Sequence, residues 1–160
     1  MSRLTVLALR VLLVLLFLGG VLGQAWVIPQ FAADMATVYP EVSFLELPYS
    51  ALAMATVLCA QAVLVALWAL LSKVRRDAIF TAHAFRWVNA IIVAGIVATA
   101  LPLAVEIHLL VVVNAGGPPA IVLLLTGVVI AGAAFVLLMV VMRGLLHAAT
   151  TLQDELAEVV

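Results

Sequence analysis

The stretch KVRRDAIFTAHAFRW, residues Lys73–Trp87, holds four of the seven basic residues of a chain otherwise dominated by Leu, Val and Ala. In a soluble protein it would be a nucleic-acid or substrate site. Between two membrane spans it would be an aqueous connector that fixes which way the chain lies. Composition decides between these readings. Of 160 residues, 68% are hydrophobic and 9% charged, whereas soluble domains average about 45–50% apolar and about 25% charged. A chain of this length cannot hide so much apolar surface in one core, so the missing solvent is lipid. The net charge of -1 says little, because basic and acidic residues are sorted into different connections.

The lone Cys59 cannot form an intramolecular disulfide and lies in an apolar run, where burial suppresses thiolate chemistry. Cys and His do not occur at metal-ligand spacing, and no glycine-rich phosphate loop, G-x-S-x-G or H-E-x-x-H is present. No enzyme class, metal or cofactor is suggested.

The apolar runs are continuous and do not alternate with period two, which predicts helices and excludes barrel strands. An all-α membrane protein with four transmembrane helices follows, as a single domain over residues 1–160 with spans at about 4–28, 49–71, 85–113 and 121–142. The first run, Leu4–Ile28, is read as a span and not a signal peptide, since it is near the ~20 residues a spanning helix requires. Residues 29–48, punctuated by Pro29, Pro40 and Pro48 and carrying Asp34, Glu41 and Glu46, read as an irregular or partly helical outer loop. The stretch NAGGPPA reads as a tight turn into the fourth span, residues 72–84 as the cytoplasmic loop, and residues 143–160 as a cytoplasmic tail.

Arg3, Arg10, Lys73, Arg75, Arg76, Arg86 and Arg143 all fall at one face, which places both termini in the cytoplasm by the positive-inside rule. Trp26, Phe31, Tyr39, Phe44 and Tyr49 supply an outer aromatic belt, and Trp68, Phe80, Phe85 and Trp87 an inner one. The opening stretch is thus the inner connector, in which Thr81 can cap the third span and Phe80 can staple to Phe85. Four charges beside a bilayer are ordinary for such a loop and too few phosphate contacts for DNA, so no direct nucleic-acid binding is expected.

Several polar residues sit within the spans. Glu106 and His108, in AVEIHLL, suggest a proton relay or ion site. Glu106 is nineteen positions from Trp87, roughly 28 Å at ~1.5 Å per residue, which nearly crosses a ~30 Å hydrocarbon core. Both therefore belong near the outer headgroups, on different helix faces, with Glu106 ionised and able to join Asp34, Glu41 or Glu46 in an outer pocket. Arg10 is within snorkelling reach of the inner face, at a depth similar to Asn89. Gln61, near the middle of the second span, is expected to bond between helices to Thr99 or Thr126, and Pro102 to kink the third span. Small residues at four-residue spacing, Gly127 with Ala131, Ala51 with Ala55, Ala62 with Ala66 and Ala90 with Ala94, allow close helix packing in a four-helix bundle and leave room for a homo-oligomer.

Beyond Arg143 the helical pattern continues as a short amphipathic tail, with Leu145, Ala149, Leu152, Leu156 and Val159 on one face and Asp154, Glu155 and Glu158 between them. Carboxylates on its polar face suit protein contact better than an anionic membrane. The connector RRDAIFTAHAFRWVN and the end MRGLLHAATTLQDELAEVV resemble the bacterial membrane family catalogued as domain of unknown function 2975, or YoaS-like. Where that family's tails carry a Glu-Asn-Asp-Leu-Thr type run, this chain has Glu155, Leu156, Ala157 and Glu158. The resemblance implies a multi-pass protein of the bacterial inner membrane, often encoded beside a small helix-turn-helix regulator, and it supplies no catalytic residues.

The expected function is a non-enzymatic sensor or anti-regulator of a cytoplasmic transcription factor. Lys73, Arg75, Arg76, Arg86, Asp154, Glu155 and Glu158 form its docking face, the acidic tail being held near the connector mainly by its leucines. A small oligomeric channel or transporter subunit using Gln61, Thr99, Thr126 and Glu106 is the alternative, and a membrane enzyme comes third because Glu106 and His108 lack a third orienting group. Cysteine labelling in intact cells, in a Cys59→Ala background, tests the orientation: positions 36 and 116 should react with an impermeant reagent, and positions 2, 78 and 160 should not. Labelling of position 78 but not 36 would invert the topology.

Overall fold

The computed structural model describes residues 3–74, 82–113 and 119–158, with side chains over 4–72, 86–111 and 119–151. The expected Thr81 cap, the Phe80–Phe85 staple, the turn at 114–118 and the side chains of Lys73, Arg75, Arg76, Asp154, Glu155 and Glu158 lie outside these residues. Every element is helical: α1 (Arg3–Leu22), α2 (Ile28–Val38), α3 (Glu46–Val74), α4 (Ala82–His108) and α5 (Pro119–Glu158). Among the described residues, four helices are long and apolar enough to cross a membrane, over Leu4–Val38, Pro40–Ser72, Arg86–Val111 and Pro119–Thr151.

The first helix runs further than the apolar run at 4–28 suggests. Pro29 lacks an N–H and would crowd the carbonyl four residues earlier, which in a regular helix forces a break. Here the chain widens into a π-helical turn over Gly23–Val27, closed by the Ile28 N–H donating to the Gly23 carbonyl, and α2 then continues to Val38. It stops at Tyr39 (φ -125, ψ 71), because Pro40 disfavours helical geometry in the residue before it. A short 3-10 segment, Pro40–Leu45, leads into α3. The region expected as an irregular or partly helical outer loop is mostly helix.

Packing is serial. The substantial contacts run from α1 and α2 to α3, from α3 to α4, and from α4 to α5. The spans thus form a row, not the closed bundle expected from the small-residue faces. Its centre is the cluster of Val63, Ala66 and Ile91, flanked by Leu67, Leu70, Trp87 and Ala94 and reached from α5 by Phe135 and Met139. Leu13, Leu71 and Ile92 are also buried, and many of the other apolar side chains face outward, Leu123 being 75% exposed and Val111 72%, as spans solvated by lipid require.

Each packed pair keeps one antiparallel register centred on its connection. Between α1 and α3, Arg10 lies over Trp68 and Gln24 Nε2 donates to the Met54 carbonyl at 3.3 Å. Between α3 and α4, Tyr49 meets His108 and Ala66 joins Ile91 in the core. Between α4 and α5, Arg143 donates to Asn89 Oδ1 at 3.1 Å and Thr126 bonds to Glu106. Arg10, Trp68, Asn89 and Arg143 thereby share a level at one end, the basic end. Tyr49, Glu106, His108 and Thr126 share another at the acidic end. From Asn89 to Glu106 along α4 is about 26 Å at ~1.5 Å per residue, close to the ~30 Å of a hydrocarbon core.

Close approach uses glycine at three places. A Cβ on Gly20 would come 3.0 Å from Gln61 Nε2, one on Gly95 would come 3.1 Å from Val136 Cγ2, and one on Gly132 would collide with Thr99 Oγ1. Gly127, half of an expected small-residue pair, has open space around it. Gly132→Val should accordingly overpack the α4–α5 seam and cost about 1–3 kcal/mol, whereas Gly127→Ala should leave stability unchanged or slightly raised. Thermal unfolding in detergent micelles measures both.

Candidate functional site

The densest polar arrangement outside the helix ends lies at the acidic end, where α4 presents Glu106 and His108. Two positions along a helix correspond to about 200° of rotation, so the two side chains leave α4 on opposite sides. His108 meets α3, with Nδ1 2.7 Å from the Tyr49 hydroxyl and the rings edge to face at 6.0 Å and 87°. Glu106 meets α5, where Oε1 accepts a hydrogen bond from Thr126 Oγ1. Both acidic-end residues are half-buried, so three helices are tied at one level by two polar pairs that do not share a ligand.

The hydrogen count at Thr126 sets what this site can do. Its hydroxyl also lies 2.9 Å from the Val122 carbonyl, yet it carries a single hydrogen. With Glu106 as a carboxylate, the hydroxyl points to Oε1. With Glu106 as a carboxylic acid, the acid donates to Oγ1 and the hydroxyl turns back to the helix carbonyl. The direction of the Tyr49–His108 bond follows the imidazole tautomer: the phenol donates to a bare Nδ1, or an Nδ1–H donates to the phenol oxygen.

The remaining expectations fall differently. Asp34, Glu41 and Glu46 are exposed, and the bond that Glu106 makes goes to Thr126. The described residues hold no group of three His, Cys, Asp or Glu side chains able to ligate a metal. Gln61 does not bond to Thr99 or Thr126. It is 7% exposed on the α1–α3 seam with Nε2 unpartnered, because α3 turns that face to α1, while Thr99 Oγ1 donates to the Gly95 carbonyl at 2.8 Å. Arg10 lies on that same seam at the basic end, and Arg86 is exposed at the start of α4. Pro102 is buried inside a continuous α4. Tyr49 and Thr126 were legible as partners, since residues equidistant from a short turn must meet in an antiparallel helix pair, and NAGGPPA lies midway between Glu106 and Thr126.

Comparison with known proteins gives one match: a family model described as "Protein of unknown function (DUF2975)" fits residues 30–160. The match begins just past Pro29, so α1, with Arg10 and Gly20, stands outside it. No curated protein and no solved structure matches.

Removing the Thr126 hydroxyl leaves the Glu106 carboxyl half-buried without its partner. Thr126→Val should therefore cost about 1–3 kcal/mol, and Glu106→Gln, which keeps an acceptor oxygen, less than about 1 kcal/mol. Detergent-micelle unfolding of the two variants and their double mutant provides the comparison; a double-mutant cost equal to the sum of the two single costs would mean that the pair is not coupled.

Proposed function

This chain belongs to the DUF2975 family, and from that premise we propose that it is a non-enzymatic multi-pass protein of the bacterial inner membrane, serving as sensor or regulatory partner of a cytoplasmic helix-turn-helix regulator. Its termini are cytoplasmic, following the sorting of its basic residues. Binding of DNA is left to the partner.

The observation that supports this reading most is the length of α5. Pro119–Glu158 is one helix of 40 residues, about 60 Å long and roughly twice the hydrocarbon thickness. Thr126 near one end is bonded to Glu106 at the acidic level, Arg143 is bonded to Asn89 at the basic level, and the helix then continues for fifteen residues toward Glu158. A displacement at the Glu106 level is carried along a single hydrogen-bonded rod to a tail that holds three carboxylates. Those acids, with Lys73, Arg75, Arg76 and Arg86, form the docking face.

The alternative is a small oligomeric channel or transporter subunit, favoured by the two polar pairs, Tyr49–His108 and Glu106–Thr126, that share one level of the spans. Gln61 faces the α1–α3 seam while Thr99, Thr126 and Glu106 lie toward α4–α5, so a path would have to run between copies of the chain. Affinity purification of the full chain and of a chain ending at Gly144 from native membranes discriminates the readings. A cytoplasmic DNA-binding protein should accompany the former and be lost from the latter. If none is retained, and Glu106→Gln abolishes a proton or cation flux in liposomes without unfolding the protein, the transport reading replaces this one.

A further inference from the structure

Arg10 is the least satisfied charge in the described part of the molecule. Its Nε is buried without a hydrogen-bond partner, and its guanidinium carbon sits 5.4 Å from the centroid of the Trp68 ring. No carboxylate among the described residues pairs with it. Beside it runs a groove of about 300 Å³ between α1 and α3, whose apolar walls include Leu13, Val14 and Phe17 from one helix and Leu64, Val65 and Trp68 from the other. Positions 10, 13, 14 and 17 follow the three-and-four spacing of one helix face, so the cation closes the groove at its basic end. The Trp68 ring is both a groove wall and the surface on which the guanidinium rests.

We infer that this is a binding site for one anionic diacyl phospholipid, with an acyl chain lying in the α1–α3 groove and the phosphate on Arg10. Depth agrees with the assignment. The Arg10 level is about 26 Å from the Glu106 level, which puts the guanidinium at the edge of the hydrocarbon, where phosphates are. Flat, bidentate donation to phosphate oxygens suits a guanidinium whose other face is held by an indole. A headgroup without an ammonium avoids repulsion from the Arg10 guanidinium, so phosphatidylglycerol is preferred to phosphatidylcholine. The apolar groove makes a lipid, and not free phosphate, the occupant. This inference does not depend on the regulatory reading.

The full chain carrying Trp26→Phe and Trp87→Phe keeps Trp68 as its sole tryptophan and reports on the groove directly. It is reconstituted in phosphatidylcholine vesicles containing increasing fractions of phosphatidylglycerol or phosphatidylcholine with brominated acyl chains. Half-maximal quenching of Trp68 should need about fivefold less of the brominated phosphatidylglycerol, the preference one basic residue confers. Arg10→Gln should remove the difference, Arg10→Lys should keep most of it, and Val14→Phe, which fills the groove, should reduce quenching by both lipids. Equal half-points in the chain with Arg10 intact would overturn the inference without reference to any variant. Survival of the preference in Arg10→Gln would also overturn it, as would displacement of the lipid by millimolar inorganic phosphate, which would make this a free-anion site.

Discussion

Hydrocarbon offers a polar group nothing to bond to, and that constraint organises the molecule. The backbone answers it with helices, widened by a π-helical turn where Pro29 would otherwise break the ladder. Polar side chains answer it by level. Arg10, Asn89 and Arg143 gather at one depth and Tyr49, Glu106, His108 and Thr126 at another. Between them the seams are made largely from glycine, alanine and branched apolar residues, with Thr99 bonding back to its own helix, Gln24 bonding across to the Met54 carbonyl and Gln61 unpartnered at Nε2. Water contributes no drive to pack such helices, so closeness of approach at Gly20, Gly95 and Gly132 supplies the attraction.

Much of this was legible in the sequence because composition and charge sorting depend on the solvent and not on tertiary detail. Four spans and the continuation of the last helix past Arg143 follow from runs of Leu, Val and Ala. The partner of a given polar residue was harder to read. Gln61 was assigned to Thr99 or Thr126 on depth alone, and depth does not say which face of α3 looks at α1. Glu106 and Thr126 were each noted without being paired, although the turn midway between them fixes their meeting. Pro29 was read as a stop, since sequence alone does not announce when a helix absorbs a proline by adding a residue to one turn.

Position in the row also separates the helices by role. The central pair, α3 and α4, share the buried cluster around Ile91. The flanking helices carry the features that respond to surroundings: α1 holds Arg10 and the groove, and α5 holds Thr126 and the long tail. Each flanking helix is anchored on one side only, so lipid contacts the remainder of its surface.

That one-sided anchoring has a consequence for local stability. A helix opens with a free energy set by the contacts it must give up, and α1 has the fewest to lose: Arg10 on Trp68, Gly20 on Gln61 and the seam between them. It should therefore be the helix that opens most readily, and the amides of α3 and α4 around the shared core should exchange last. When α1 swings away, the Gln61 amide is bared to acyl chains. Gln61 Nε2 has no partner in the docked state either, so that exposure adds little cost, and close packing along the Gly20 seam is what returns the helix to its place.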